Sequence, residues 1–236
     1  MQPYLVFGLT ASLGAMGELA GHERRGSMVW PARSAVLGLL GAALGIRRGG
    51  DFAALDALSL AVAVFDEGVG LRDYHTIETV PSAAVKTPNS RPEALAMARG
   101  RTNTSITLRD YRAGVFYGVA VWGGALEPLQ QALARPKFTL YFGRKSCPLC
   151  APCGARVVAA DSPEAALAAL VLPPWRRGMR ARVLIEAAEK GAETSGPAEV
   201  QGEELHDLPR DRARWHFAPR RLTRRGVEIA PGEGTA

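Results

Sequence analysis

Apolar and polar positions along this chain switch between two periods. Tyr4 to Leu9, "YLVFGL", is apolar throughout and reads as a strand buried on both faces. Thr10 to Met28 reads as a glycine-bearing loop carrying His22, Arg24 and Arg25. In "WPARSAVLGLLGAALGIRR" the period changes. Leu37, Leu40 and Leu44 fall at i, i+3 and i+7, which predicts a helix, and Ser34 is placed to cap its N-terminus. Gly38, Gly41 and Gly45 share that spacing on an adjoining stripe. Each costs roughly 1 kcal/mol against Ala in a helix, so the stripe predicts a second backbone packed very close.

Leu60 to Phe65, Val115 to Trp122 and Phe138 to Phe142 read as three further core strands. Leu126, Leu129 and Leu133 mark a second helix, which Pro136 stops. The order β-α-β-β-α-β is the ferredoxin-like pattern. Leu71 to Val80 and Thr104 to Tyr111 read as two arms of a long excursion. The segment between the arms, "PSAAVKTPNSRPEALAMARGRTN", holds three prolines and several small residues and is expected to be mobile. Val157 to Ala159 follows the fourth strand. A short helix comes next, capped by Ser162 with Pro163 in its first position. Arg182 to Ala187 reads as another strand, and Lys190 to Glu204 as a polar, acidic loop. His206 to Arg225 holds seven arginines against two aspartates. The expectation is a single α+β domain over residues 1–230, ferredoxin-like with a C-terminal β-rich extension, and a disordered tail at 231–236.

Composition narrows the function classes. Hydrophobic residues make up 47% of 236, enough for a real core. The net charge is +6, which points toward an anionic partner. Of the 29 basic residues 25 are arginine, the cation that binds phosphate bidentately and stacks on bases. Codon bias in an Ala- and Gly-rich chain gives the same excess, so arginine content alone decides little. The first residues lack a basic start, and Ser34 to Ile46 is too short an apolar run to span a bilayer. The expectation is a soluble, cytoplasmic protein.

All three cysteines lie in "KFTLYFGRKSCPLCAPCGA", at 147, 150 and 153. A structural zinc or iron–sulfur site needs a fourth ligand, and only His206 and His216 stand downstream. Gly143-Arg144-Lys145-Ser146, just before them, would aim two cations and a hydroxyl at one spot. The reading therefore favours a loop that grips an anion, with Cys147 buried and Cys150 and Cys153 as small loop residues. No metal or other cofactor is expected. Metal-free RNA cleavage would need a base and an acid such as His, Tyr or Lys. His22, Tyr74, His75 and Lys145 are available, but nothing in their spacing brings them together.

"RSAVLGLLGAALGI", "LRDYHT", "RPKFTLYFGRKSCPL" and "LHDLPRDRARWHFAPRR" occur here in the order found in the CasD family. That family supplies the fifth-family Cas subunit of the type I-E Cascade complex. The chain resembles it from Tyr4 to about Val227. The resemblance implies a ferredoxin-like (RRM-like, repeat-associated) RNA-binding fold with a long β-hairpin thumb, here about 71–111. It implies a non-catalytic subunit that holds the 5′ handle of CRISPR RNA, beside the backbone subunit CasC and the large subunit CasA. It implies contact with target DNA only through the complex, and a place in antiviral defence. The alternative it implies is a metal-independent endoribonuclease that processes precursor CRISPR RNA, as in the related type I-C subunit. Cys150 and Cys153 depart from the family's "SCPL" pattern, and residues 80–102 match it loosely.

A handle-binding protein needs phosphate donors, planes for splayed bases and edge contacts. The candidate RNA-binding residues are Arg24, Arg25, Arg33, Ser34, Arg72, Tyr74, His75, Arg109, Arg112, Arg144, Lys145, Ser146 and Arg210. Arg33 and Ser34 sit at a helix N-terminus, where free N–H groups attract phosphate; alternatively Ser34 only caps and Arg33 is solvated. Arg72 and Tyr74 should share one strand face, with Asp73 and His75 on the other. Tyr74 either stacks on a base or fills the base of the hairpin. The acidic loop is either a solvated insert or a surface for a neighbouring subunit.

Overall fold

The computed structural model describes residues 1–20, 23–47, 49–87, 90–187, 201–212, 214 and 216–232. The central body is antiparallel. Strand β1 (Gln2–Gly14) lies between β6 (Asn103–Trp122) and β7 (Arg156–Ala160), and β4 (Ser59–Asp66) flanks the other edge of β6. The order across the body is therefore β7-β1-β6-β4. The first crossover carries helix α1 (Arg33–Leu44) and α2 (Ala53–Asp56). The second carries α4 (Glu127–Ala134).

Alternation explains why these strands read as unbroken apolar runs. Leu5, Phe7 and Leu9 of β1, Leu60 and Val62 of β4, and Val115, Tyr117, Val119 and Val121 of β6 pack in one core with Val36, Leu37, Leu40, Leu129 and Leu133 of the helices. The residues between them face the opposite way. Tyr4, Val6, Ala61, Ala63, Phe116 and Ala120 meet Ala166, Leu167 and Leu170 in a second core under α5 (Pro163–Leu167). Both faces of the sheet are covered, so no polar alternation is needed. Gly118 admits this second layer: a Cβ there would stand 2.9 Å from the Phe65 ring and 3.0 Å from Leu170.

β6 continues past the body. Its first half pairs with β5 (Val69–Thr79) in unbroken register from Val69↔Ala113 to Thr79↔Asn103, so the two predicted arms do meet. The expected mobile stretch between them contains a helix, α3 (Arg91–Ala98). Ser90 caps it through Glu93 N–H, with Pro92 in its first turn. Ala94 and Ala98 are buried.

Other expectations also change. The loop at Thr10 to Met28 is largely strand: β1 runs on to Gly14, and β2 (Met16–Ala20) and β3 (Arg24–Met28) form a small hairpin beside β6. Phe138 to Phe142 does not form the fourth strand. Its backbone is drawn to the end of α1, where Ala43 and Ala42 carbonyls accept from Lys137 N–H (2.9 Å) and Phe138 N–H (3.2 Å). β7 takes the edge beside β1 instead. The glycine stripe of α1 does not mark one close backbone. Gly41 admits the Phe52 ring, 2.6 Å from its would-be Cβ, and Gly45 ends the helix in the left-handed region (φ 81°). Gly38 faces open space.

β8 (Ala181–Ala187) pairs with β4, and β10 (His216–Ile229) and β9 (Gln201–Asp211) extend the sheet outward from it. The arginine-rich segment is therefore a hairpin. Of the acidic loop, residues 190–200 lie outside the described residues, and 201–204 belong to β9. Of the tail, 233–236 lie outside them too. No helix among the described residues is long and apolar enough to cross a membrane.

Candidate nucleic-acid interface

The predicted basic residues fall into three groups. The first lies where β3, β6 and β5 run side by side. Asp110 of β6 accepts from two arginines: Arg24 of β3 (Nη2, 2.6 Å) and Arg72 of β5 (Nε, 2.8 Å). The Arg72 hydrogen bond, and then that of Arg24, hold the Asp110 carboxyl below its usual value. Two cations on one carboxylate leave a net charge of +1. Tyr74 stands two residues from Arg72 on the same strand face and is 71% exposed, so it is no core residue. His75 turns to the other face, where Nδ1 is 3.9 Å from Asp73. Arg109 lies opposite Asp73 and next to Arg25, with its Nε buried and without a hydrogen-bond partner. Arg112 is used structurally. Its guanidinium donates to the carbonyls of Glu67 (2.8 Å) and Gly68 (2.7 Å) and fixes the turn between β4 and β5.

The second group is the 143–146 turn. Gly143 has φ 84°, and a Cβ there would overlap the Ala15 carbonyl oxygen. Ala15 N–H donates to Phe142 O (3.0 Å), and Cys147 N–H closes the turn on Arg144 O (2.8 Å). This ties the turn to the end of β1. Arg144 swings toward the first group: its guanidinium stacks 4.4 Å over Tyr111, and Nη2 reaches Arg25 O at 3.5 Å. Lys145 and Ser146 are exposed. Cys147 is fully buried beneath them and Cys153 nearly so. Burial pushes the Cys153 thiol up to about 11. The described residues contain no cluster of three metal-ligating side chains.

The third group departs from expectation. Ser34 does not cap α1; the helix begins at Arg33 after Ala32, which makes no side-chain cap bond. Asp207 of β9 does the work from 174 positions away, accepting from Arg33 N–H at 2.9 Å. The same carboxylate takes both arms of Arg220 (2.9 and 2.7 Å) and is only 2% exposed. The helix N-terminus is thus occupied by protein rather than open to phosphate. Arg33 is buried as well: Nη2 donates to Asp56 O (2.7 Å) and Leu58 O (2.8 Å). Burial, then the nearby Arg220, pulls Arg33 below its ordinary value. Arg212 closes the group, bidentate on Asp56 and 4.1 Å over the Phe52 ring. Arg210 is exposed on β9, apart from this clasp. His22 lies outside the described residues.

The sequence of residues 4–223 matches the family described as "CRISPR-associated protein (Cas_Cas5)". The chain belongs to this family. It is 32% identical to the CRISPR system Cascade subunit CasD of Escherichia coli (strain K12) over 184 residues, 71% of this chain and 76% of that protein. Its fold is similar to a chain of a structure named "CRISPR RNA-guided surveillance complex", with TM-score 0.65 and 23% identity over 98% of this chain and 94% of the other. A second, named "Crystal structure of Cas protein", matches with TM-score 0.60 and 24% identity over 98% of each chain. For a Cas5-family chain the first two groups form one continuous basic face, whereas the third is a structural clasp. The Asp207 clasp was out of reach of sequence reasoning, because its partners are far apart in the chain. The exposed Phe138 and Tyr141 were missed because both were assigned to a strand.

Proposed function

We propose that this chain is the non-catalytic subunit that holds the 5′ handle of CRISPR RNA in a type I-E Cascade complex, next to CasC and CasA. The body order β7-β1-β6-β4, all antiparallel with two helical crossovers, is read as the ferredoxin-like arrangement, and the β5–β6 hairpin as its thumb. The observation that carries the reading is the exposed Tyr74 plane beside the Arg24–Asp110–Arg72 cluster. It supplies the stacking surface and the cations that a constant single strand requires. The 143–146 turn extends that face through Arg144. The identity to E. coli CasD supports the same assignment, as does the fold shared with a chain of an RNA-guided surveillance complex.

The endoribonuclease alternative is not favoured. Tyr74 and His75 are neighbours on a strand and so point to opposite faces. They do not converge on one phosphate as acid and base.

The test is direct. Purified protein should bind a CRISPR repeat RNA and leave it intact. Tyr74→Ala should weaken that binding by about 1–3 kcal/mol, the usual contribution of one base–aromatic stack, at an unchanged melting temperature. Site-specific cleavage at the handle boundary, abolished by His75→Ala, would overturn the reading in favour of the nuclease.

A further inference from the structure

Lys145 lines a groove of about 900 Å3 laid across the outer side of α1. Ser34, Gly38 and Ala42 of α1 form its floor. Phe138 and Tyr141 stand in its wall, 42% and 38% exposed. Four cations line it: Arg212 is spent on Asp56, while Arg47, Lys137 and Lys145 are exposed and in no ion pair among the described residues. No acidic residue lines it.

The groove is built by the chain path. Because the backbone of 137–138 hydrogen-bonds the last carbonyls of α1, the aromatic run is held on the helix instead of entering the sheet. Lys137 is laid over Gly45, where any Cβ would collide with its stem. Gly38 has no neighbour within 4 Å of a would-be Cβ, so the floor is open there. In a folded protein, solvent-facing aromatics beside unpaired cations over a concave floor need an occupant.

We propose that this groove is a second binding site for single-stranded RNA, taking splayed-out nucleotides. The bases lie against Tyr141 and Phe138, and the phosphates meet Lys145, Lys137 and Arg47. The proposal rests on the RNA-binding reading given above. It adds residues absent from the candidate RNA-binding set: Arg47, Lys137, Phe138 and Tyr141. Charge selects the occupant class, since only an anionic ligand matches a rim of cations without carboxylates. The aromatic wall selects nucleotides over a plain acidic chain. Continuity supports it too. Arg144 and Lys145 are consecutive, one stacked toward the hairpin and the other lining the groove, so one strand can pass from face to groove over the turn.

The experiment measures binding of fluorescein-labelled single-stranded CRISPR repeat RNA to the full chain at several salt concentrations. Gly38→Glu places a carboxylate on the open floor, and Glu is a better helix former than Gly, so the melting temperature should hold or rise. RNA affinity should fall about tenfold or more. Lys137→Gln/Lys145→Gln should flatten the logarithmic salt slope by about 1.4, at about 0.7 per phosphate on a single strand. Tyr141→Ala should weaken binding about tenfold, independently of Tyr74→Ala. If the wild type fails to bind this RNA, the RNA-binding reading falls and the groove proposal with it. If the wild type binds and Tyr74→Ala weakens it, but the three groove variants behave as wild type, the groove proposal alone is overturned. A labelled polyglutamate peptide is the control. If it binds the wild type and loses binding in Gly38→Glu, with RNA affinity unmoved, the groove docks an acidic protein segment and the proposal is wrong.

Discussion

Two aspartates each accept from two arginine residues, Asp207 from one guanidinium and one backbone N–H and Asp110 from two guanidiniums, and they serve opposite ends. Asp207 is 2% exposed and gathers Arg220 and the first N–H of α1, with the buried Arg33 guanidinium close by. Asp110, itself 15% exposed, gathers Arg24 and Arg72, whose side chains are 56% and 45% exposed, whereas that of Arg220 is 14% exposed. The chemistry is the same and the surroundings are not. A buried arginine–carboxylate pair is costly to form and more costly to break, because one charge is then left without water or partner. A surface pair contributes little and can exchange one oxyanion for another. Carboxylate–arginine contacts in this family member are therefore no guide to function until their burial is known. The buried set fastens the C-terminal hairpin to the first helix. On the proposed function, the exposed set keeps two arginines aligned while leaving them free to trade Asp110 for phosphate.

The largest expected effect comes from breaking the buried set. Asp207→Ala should destabilise the protein by about 3–5 kcal/mol in denaturant unfolding, since Arg220 loses both acceptors and α1 its cap. A loss below about 1 kcal/mol would place Asp207 among the surface pairs and end the contrast. Next comes Asp110→Asn. Stability should move by less than about 1 kcal/mol. Repeat RNA should bind about fivefold more tightly, because a unit charge about 4 Å from a phosphate costs about 1 kcal/mol in water. Weaker binding would mean that Asp110 orders the arginines more than it occupies them. The smallest effect is in titration. Hydrogen bonds from Arg72 and Arg24 hold the Asp110 carboxyl below its ordinary 3.8. Its contribution to folding is therefore complete above about pH 4 and is lost as pH falls through the depressed value. Carboxyl NMR titration of Arg72→Ala should show the Asp110 midpoint moving back up toward 3.8.

The parts of the fold that sequence reasoning reached are those decided locally. β4 and the inner half of β6 are buried on both faces, and an unbroken apolar run suffices to mark them. α1 declared itself through Leu37, Leu40 and Leu44, and Ser162 with Pro163 started α5 as expected. The misses have tertiary causes. "FTLYF" has the composition of a strand, yet the free carbonyls at the end of α1 captured its backbone. "RVVAA" took the edge position with a weaker pattern, because β1 offered it a free edge at Gln2 to Val6. β2 and β3 are short and polar, and they are strands only because β6 runs past them. At the candidate site, Tyr74 and Arg72 were legible from strand alternation alone. Arg33 and Ser34 were misread because the cap comes from Asp207, which no local motif announces.

β6 has a consequence for how the protein is made. It is the one strand on which β1, β3, β4 and β5 all pair, and it lies in the middle of the chain. Leu5 finds its partner in Val121, and Ala11 in Val115. During synthesis the apolar β1 leaves the ribosome about a hundred residues ahead of the β6 segment that covers its edge. For that interval it is an unpaired apolar strand, the kind of segment that aggregates and that chaperones bind. Truncation before Arg112 therefore removes every strand partner of β1 and leaves that strand with nothing to pair onto.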